Sequence, residues 1–354
     1  MMVLLVVVAL LPLVAVLTAN VIGLAQLRTQ AIGEKLLGMA ESQALVREVS
    51  LTSDVQKLLL VLVEPPIQSA ISDPVKLSQR ELDDRDRKWP TLPEDSPWMK
   101  EVLGNRAAQC LRQMQVVDGR IRQLMITDRF GQLVASTNRT EDFFQADEEW
   151  WQQAYAGGKG RIFIPQIGYN TEASKAWTID LCVPIKSGDS VIGVAKAEID
   201  VSQWVETVAS SDGVPITRLP ANIGLMLVAK DGTIIYRRDT APFEKRLADW
   251  RELELPEARS GWRVSGDELH AYAPLRLPET IVGFRVSVPY WRVVMHTPRS
   301  SIMGPIYTVG AIASGVGVAE MGGHFVISFL EAPMPAANTT MEEWTLALRT
   351  PVTA

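Results

Sequence analysis

Hydrophobic and polar positions divide the chain into stretches of different period. Met1 to Leu27 contains no charged residue, and the first charge is Arg28. A helix needs roughly 20 apolar residues to cross the hydrocarbon core of a bilayer, so 1–27 is expected to be a transmembrane helix acting as a signal anchor. A cleaved signal peptide is the rival. The long apolar run without a preceding basic residue weighs against it, although Gly23-Leu24-Ala25 offers a weak cleavage site. From Arg28 onward the period changes. Ala31, Leu36, Met39, Leu45, Val46, Val49 and Leu51 recur with charges between them. This predicts a long amphipathic stalk helix over 28–62, stopped by Pro65-Pro66.

Beyond the stalk, the charged stretch 73–97 predicts a short helix and a loop, and 98–119 predicts a second helix. Then strand-like alternation takes over. Met125 to Thr137 is an apolar run, a turn carrying Asp128 and Gly131, and another apolar run. Met226 to Tyr236 repeats the pattern around Asp231-Gly232. Each hairpin is followed by a strand that breaks at proline, Pro184 in the first copy and Pro274 in the second. A pattern repeated once at domain spacing predicts two copies of one small module. The expected fold is α+β: a long N-terminal helix and two tandem PAS-like antiparallel-sheet modules, flanked by two transmembrane helices. The first sheet is expected to include 121–137, 161–167, 176–185 and 190–201. The second is expected to include 223–238, 268–276 and 283–297.

The second span is expected at 300–319, an uncharged stretch between Arg299 and Glu320 with small residues spaced as Ala311 and Gly315. The rival is a Gly-rich loop or a buried helix. Basic residues are too few near the spans to fix their orientation. The tail 320–354 has no clear periodicity and no recognised output domain. The 354 residues suggest about two domains. A net charge of −6 offers no basic surface for nucleic acid. Two scattered cysteines, Cys110 and Cys182, are expected to be thiols.

Five segments in order resemble the double Cache family of extracytoplasmic sensor domains: ITDRFGQLVAST, DEEWWQQAYAGGKGRIFI, DLCVPI, GVAKAEIDV and WRVVMHTP. The resemblance covers about 28–298. It implies a membrane-distal module over 63–205 that holds a small ligand. It also implies a membrane-proximal module over 206–298 that passes the change to the second span. The same resemblance puts the chain in a bacterial inner membrane, with 28–298 periplasmic, and implies a homodimer. In amino-acid-sensing members an arginine ahead of an aromatic pair clamps the ligand carboxylate. Here Trp150 and Trp151 match the pair, but Glu148 stands where the arginine would be. A glutamate repels a carboxylate and attracts an ammonium, so an amine or an uncharged metabolite is expected. A solvated helix-start residue beside two core tryptophans is the structural alternative.

The candidate ligand-binding residues are Trp150, Trp151, Arg161, Tyr169, Asp180 and Glu198. Tyr169 lies where the family places a pocket aromatic. Asp180 interrupts an apolar strand and shares a face with Thr178 and Cys182. A carboxylate there needs a partner, which is Arg161, a backbone amide or a ligand amine. Glu198 and Asp200 share one face of their strand, and the family places a ligand-binding carboxylate at such a position. The three histidines, His270, His296 and His324, look isolated, and no nucleophile, phosphate-loop or metal motif occurs. No catalytic residue, metal or cofactor is therefore expected, and the chain is not expected to be an enzyme. Two functions remain: a membrane-anchored sensor of a small molecule, or a membrane-anchored scaffold that kept the fold and lost ligand and output.

Overall fold

The computed structural model describes residues 2–170, 176–201, 204, 222–237, 259–301, 320–321 and 324–325, without the side chains of 2–14, 17, 170, 320–321 and 324–325. α1 (Met2–Leu62) is one helix of 61 residues, about 90 Å long at 1.5 Å per residue. It stops where the sequence requires. Glu64 is extended, with φ −60° and ψ 136°, as a residue before proline prefers. Pro65 and Pro66 then open α2 (Pro65–Ile71) at positions that need no N–H.

α1 has two apolar faces. Leu36, Ala40, Ala44, Leu51, Val55, Leu58 and Leu62 form a buried stripe at helical spacing. Leu24, Leu27, Leu45, Val49 and Leu60 lie on the opposite side, each at least 50 % exposed. The sequence period that groups Leu36 and Leu51 with Leu45 and Val49 thus merges two faces. Residues 36 and 45 differ by about 180° around a helix of 3.6 residues per turn. Along a third line, Glu34, Glu41 and Glu48 repeat every two turns. They accept hydrogen bonds from Trp262 Nε1 at 3.1 Å, from Ser260 Oγ, and from the Arg276 amide at 2.5 Å.

α3 (Gln79–Lys88) begins with a capping box between Ser78 and Glu81. The helix expected over 98–119 is two helices, α4 (Pro97–Leu103) and α5 (Arg106–Val117). The break falls at Gly104-Asn105, where the Asn105 side chain caps α5 by accepting from the Ala108 amide at 2.8 Å.

The first module contains β1 (Ile121–Asp128), β2 (Leu133–Ser136), α6 (Glu149–Tyr155), β3 (Ile162–Phe163), β4 (Gly168–Asn170), β5 (Ala176–Ser187) and β6 (Ser190–Asp200). The second contains β7 (Gly224–Ala229), β8 (Ile234–Arg237), β9 (Gly261–Ser265) and β10 (Glu268–Pro274). The short strands β11 (Thr280–Ile281) and β12 (Phe284–Ser287) follow, and then β13 (Trp291–Pro298). The larger sheet runs β11-β12-β3-β5-β6-β1-β2, with β4 also on β5, and the smaller runs β8-β7-β13-β10-β9. In the larger sheet the β1–β2 hairpin lies at one edge, followed by β6 and then β5; in the smaller the β7–β8 hairpin lies at one edge, followed by β13 and then β10. This shared order supports the repeat.

The two hairpin turns occupy equivalent places but are capped differently. Gly131 and Gly232 both have positive φ, at 81° and 85°, which glycine adopts without a Cβ penalty. Asp128 opens its turn and accepts from the amides of Phe130 and Gln132. Asp231 sits one residue before its glycine and accepts from Thr233. One strand expectation changes. Residues 284–287 do not join the second sheet. Val286 and Ser287 pair in parallel with Ile162 and Phe163 of β3, while 291–298 does join it.

Gln26–Ile302 forms one compact unit that holds both sheets. Met1–Ala25 with Met303–Ala354 forms another, in which β14 (Glu320–Met321) pairs with β15 (His324–Phe325). Among the described residues no helix is long and apolar enough to cross a membrane. Of the expected spans, the side chains of 1–14 and residues 302–319 lie outside the described residues, as does most of the tail.

Candidate functional site

Three neighbouring strands of the first module turn alternate residues to one face. β1 supplies Gln123 and Met125, β5 supplies Thr178 and Asp180, and β6 supplies Lys196 and Glu198. Trp150 of α6, Tyr169 of β4 and the connection 140–148 close over them. Together they line a half-open cavity of about 260 Å³. Five carboxylates line it, from Glu141, Asp142, Glu148, Asp180 and Glu198, against one ammonium, that of Lys196.

The floor of the cavity is internally paired. Asp180 and Glu198 are directly opposite each other on β5 and β6, an arrangement that repels like charges. Lys196 Nζ lies 3.1 Å from Glu198 and 3.9 Å from Asp180, and 5.1 Å from the centre of the Trp150 ring. Burial opposes the lysine charge, but Asp180, Glu198 and Cys182 together offset it and hold the ammonium above its usual range. The Thr178 hydroxyl donates to Asp180 Oδ1 at 2.9 Å.

The rim carries the other three carboxylates. Glu141 and Glu148 are exposed and Asp142 is half-buried. None of the three has an ion pair among the described residues. Burial, then the charges of Asp86, Glu148, Asp147 and Glu141, push the Asp142 carboxyl up to about 7. The rim is tied to the end of α3 and the segment after it. Trp89 Nε1 donates to the Thr140 carbonyl at 3.1 Å and its hydroxyl at 3.0 Å. Asp86 accepts from the amides of Phe143 and Phe144 at 2.8 and 2.9 Å. Arg139 donates to the carbonyls of Pro90 and Leu92.

Of the residues singled out in the sequence, Trp150, Tyr169, Asp180 and Glu198 meet around this cavity. Trp151 and Arg161 are not among its lining residues. The Trp151 indole donates to Thr127 Oγ1 at 2.8 Å and stacks on Tyr155 at 4.6 Å. Arg161 Nε donates to the Gln153 carbonyl at 2.6 Å, fastening the end of α6. Glu148 immediately precedes α6, makes no side-chain cap, and stands on the rim. Asp200 pairs with Arg122 at 2.7 Å. Lys196 and the rim acids Glu141 and Asp142 were not anticipated. The alternation that marks Glu198 also marks Lys196, two residues earlier on the same face.

Cys110 and Cys182 are both free thiols. The histidines are less isolated than their spacing suggests. His270 and His296 are cross-strand partners in the second sheet, with ring centres 6.2 Å apart, and both approach Glu268. Burial, chiefly, pushes His296 down. Among the described residues no group of three or more His, Cys, Asp or Glu side chains is placed to hold a metal ion.

A family model described as a family of unknown function (DUF6858) matches residues 307–350. No curated protein matches the chain in sequence. Among solved structures, the ligand-binding domain of the Pseudomonas aeruginosa PAO1 amino acid chemoreceptor PctB, in complex with L-Arg, is similar. It is 14 % identical, with 80 % of this chain and 98 % of that chain covered and a TM-score of 0.48. The ligand-binding domain of the Pseudomonas fluorescens chemoreceptor CtaA, in complex with L-isoleucine, is 14 % identical. There 78 % of this chain and 98 % of that chain are covered, with a TM-score of 0.46. An extracellular ligand binding receptor from Desulfohalobium retbaense DSM5692 is 13 % identical over 70 % of this chain, with a TM-score of 0.42. The match spans only 39 % of that receptor's length. These likenesses extend to neither ligand nor output, and the site described above rests on its own geometry.

Proposed function

We propose that the chain is a membrane-anchored extracytoplasmic sensor whose first module binds a small ammonium-bearing molecule. The observation that carries this reading is the cavity lined by five carboxylates and one lysine. Such a lining disfavours a free carboxylate and attracts a cation, and the Trp150 face adds a cation–π surface. The shared order of the two sheets and the double Cache-like segments support a tandem sensor. The sequence supports spans at 1–27 and 300–319, the second following β13 directly. A ligand shifts such a sensor only by binding its two states with different affinity.

The full chain should remain with the membrane fraction at high salt and be released by detergent. Titrated calorimetrically in detergent with ethanolamine and with 1,4-diaminobutane, it should bind at least one of them. Asp180→Ala removes a counter-charge of Lys196 from the floor and should weaken that binding about tenfold while the chain still melts cooperatively. A chain that is soluble without detergent sinks the anchor. A chain that binds neither amine sinks the ligand class, as does Asp180→Ala that folds and binds as tightly as the parent. An unfolded Asp180→Ala chain makes the carboxylate structural.

The bare apolar stripe on α1 favours an interaction role alongside sensing, and we infer a parallel homodimer along it. Leu24, Leu27, Leu45, Val49 and Leu60 lie within one narrow sector of the helix and are at least half exposed. Near the end of α1 the stripe meets a groove of about 500 Å³ lined by Leu59, Leu60, Val63, Ile185 and Phe284. Leu45→Glu with Val49→Glu should convert a dimer into a monomer by light scattering in detergent. An unchanged mass, or a monomeric parent chain, removes the dimer.

A further inference from the structure

The floor of the cavity has the makings of an ammonium site, and the chain already fills it. Two carboxylates face each other across β5 and β6 and an indole ring stands over them. This is the set of groups that receives a cationic nitrogen: charge-assisted hydrogen bonds from two sides and a π face on the third. Lys196 reaches it because it lies two residues before Glu198, on the same face of the same strand. Its Nζ is within 3.1 Å of Glu198 and 3.9 Å of Asp180. The rim acids Glu141, Asp142 and Glu148 have no such internal cation among the described residues.

Resting on the amine reading above, we infer that Lys196 is a specificity-determining residue. It is a tethered ammonium that occupies the inner cation position and leaves only the rim for the cationic group of a ligand. The site is thereby fitted to small molecules with one ammonium group and an uncharged remainder that lies beside Lys196. A linear diamine that reaches from rim to floor meets the lysine charge there, and repulsion sets against its second ammonium. Removing the lysine charge empties the inner position and converts the site into one for diamines.

The test compares the full-length parent chain in detergent with Lys196→Gln and Lys196→Arg, using ethanolamine and 1,4-diaminobutane as calorimetric probes. Lys196→Gln should bind 1,4-diaminobutane about tenfold or more tighter than the parent, the scale of one buried charge-assisted contact. Ethanolamine has one ammonium and can take the inner position or the rim but not both, so its gain should be smaller than the diamine's. Lys196→Arg keeps the cation and should keep the parent's ratio between the two amines. If the parent binds ethanolamine and Lys196→Gln shows no gain for the diamine, the lysine only supports the sheet and the inference is overturned. If the parent binds neither amine, the underlying ligand class fails instead, and this inference fails with it.

Lys196→Gln leaves Asp180 and Glu198 facing each other without a cation, so the variant is prone to lose stability. The same probes then read the outcome. Millimolar 1,4-diaminobutane should raise the melting temperature of Lys196→Gln more than that of the parent, because the added ammonium takes the vacated position. An equal or smaller rise overturns the inference even where the variant is too weak for calorimetry.

Discussion

Trp89→Ala should lower the stability of the chain by about 3–5 kcal/mol, the usual range for emptying a large aromatic site. Trp89 is completely buried, and its ring meets Phe143 at 5.7 Å between centres. It contributes more than volume. Its indole N–H is shared between two oxygens of Thr140, and Thr140 begins the rim that carries Glu141 and Asp142. Truncation leaves a cavity under the rim and strands those two acceptors. Urea denaturation in detergent should therefore show a large fall in midpoint, and amine affinity should fall in the same variant. Trp89→Phe should recover much of the packing but not the Thr140 bonds, so it should fall between the two. A loss below about 1 kcal/mol for Trp89→Ala would mean that the neighbours collapse into the space, and that the rim is held from elsewhere.

Amine affinity should fall as the pH drops below about 7, by up to tenfold per unit, because Asp142 titrates there. The carboxyl is raised from its ordinary range by burial and by four neighbouring acids. A raised acid binds its proton more tightly when folded than when unfolded, so the ligand-free chain loses stability as pH climbs from the ordinary carboxylate range toward 7. A cation at the rim reverses the balance by favouring the charged carboxylate. Below pH 7 binding then releases a proton, and above it none. Calorimetry at pH 6, 7 and 8 in buffers of different ionisation enthalpy measures both the affinity and the proton count. The ligand-induced rise in melting temperature should be larger at pH 8 than at pH 6. Affinity that is flat from pH 6 to 8, with no proton release, would remove Asp142 from the binding event.

The parts of the fold that were legible in the sequence are those encoded by short-range rules. Asp128 with Gly131 and Asp231 with Gly232 mark hairpins because turn geometry needs those residue types locally. Asp180 and Glu198 were visible as site candidates because strand alternation puts a polar residue in a fixed direction. Long-range partners were not visible. Nothing near 286 in the sequence says that its strand pairs with 162. β9, centred on Arg263, has only half-buried positions and so lacks a clear alternation. The rim lies on a connection without any period, and its placement depends on Trp89, Asp86 and Arg139, about fifty residues away or bonded to groups that far. Trp151 follows Trp150 by about 100° around α6, enough to aim one indole at the cavity and the other at Thr127.

The strand order has a consequence for how this protein can be cut or recombined. β11 and β12 come after most of the second sheet in sequence, yet they finish the edge of the first. The first sheet is therefore a discontinuous object, made from two separate stretches of the gene, with four strands of the second sheet, β7 to β10, inserted between them. A gene fragment stopping before residue 280 carries every cavity residue and still leaves the β3 edge bare. Both sheets fall within the one compact unit 26–302. Within it, only residues 288–290 separate the strand that closes the first sheet from β13, in the middle of the second.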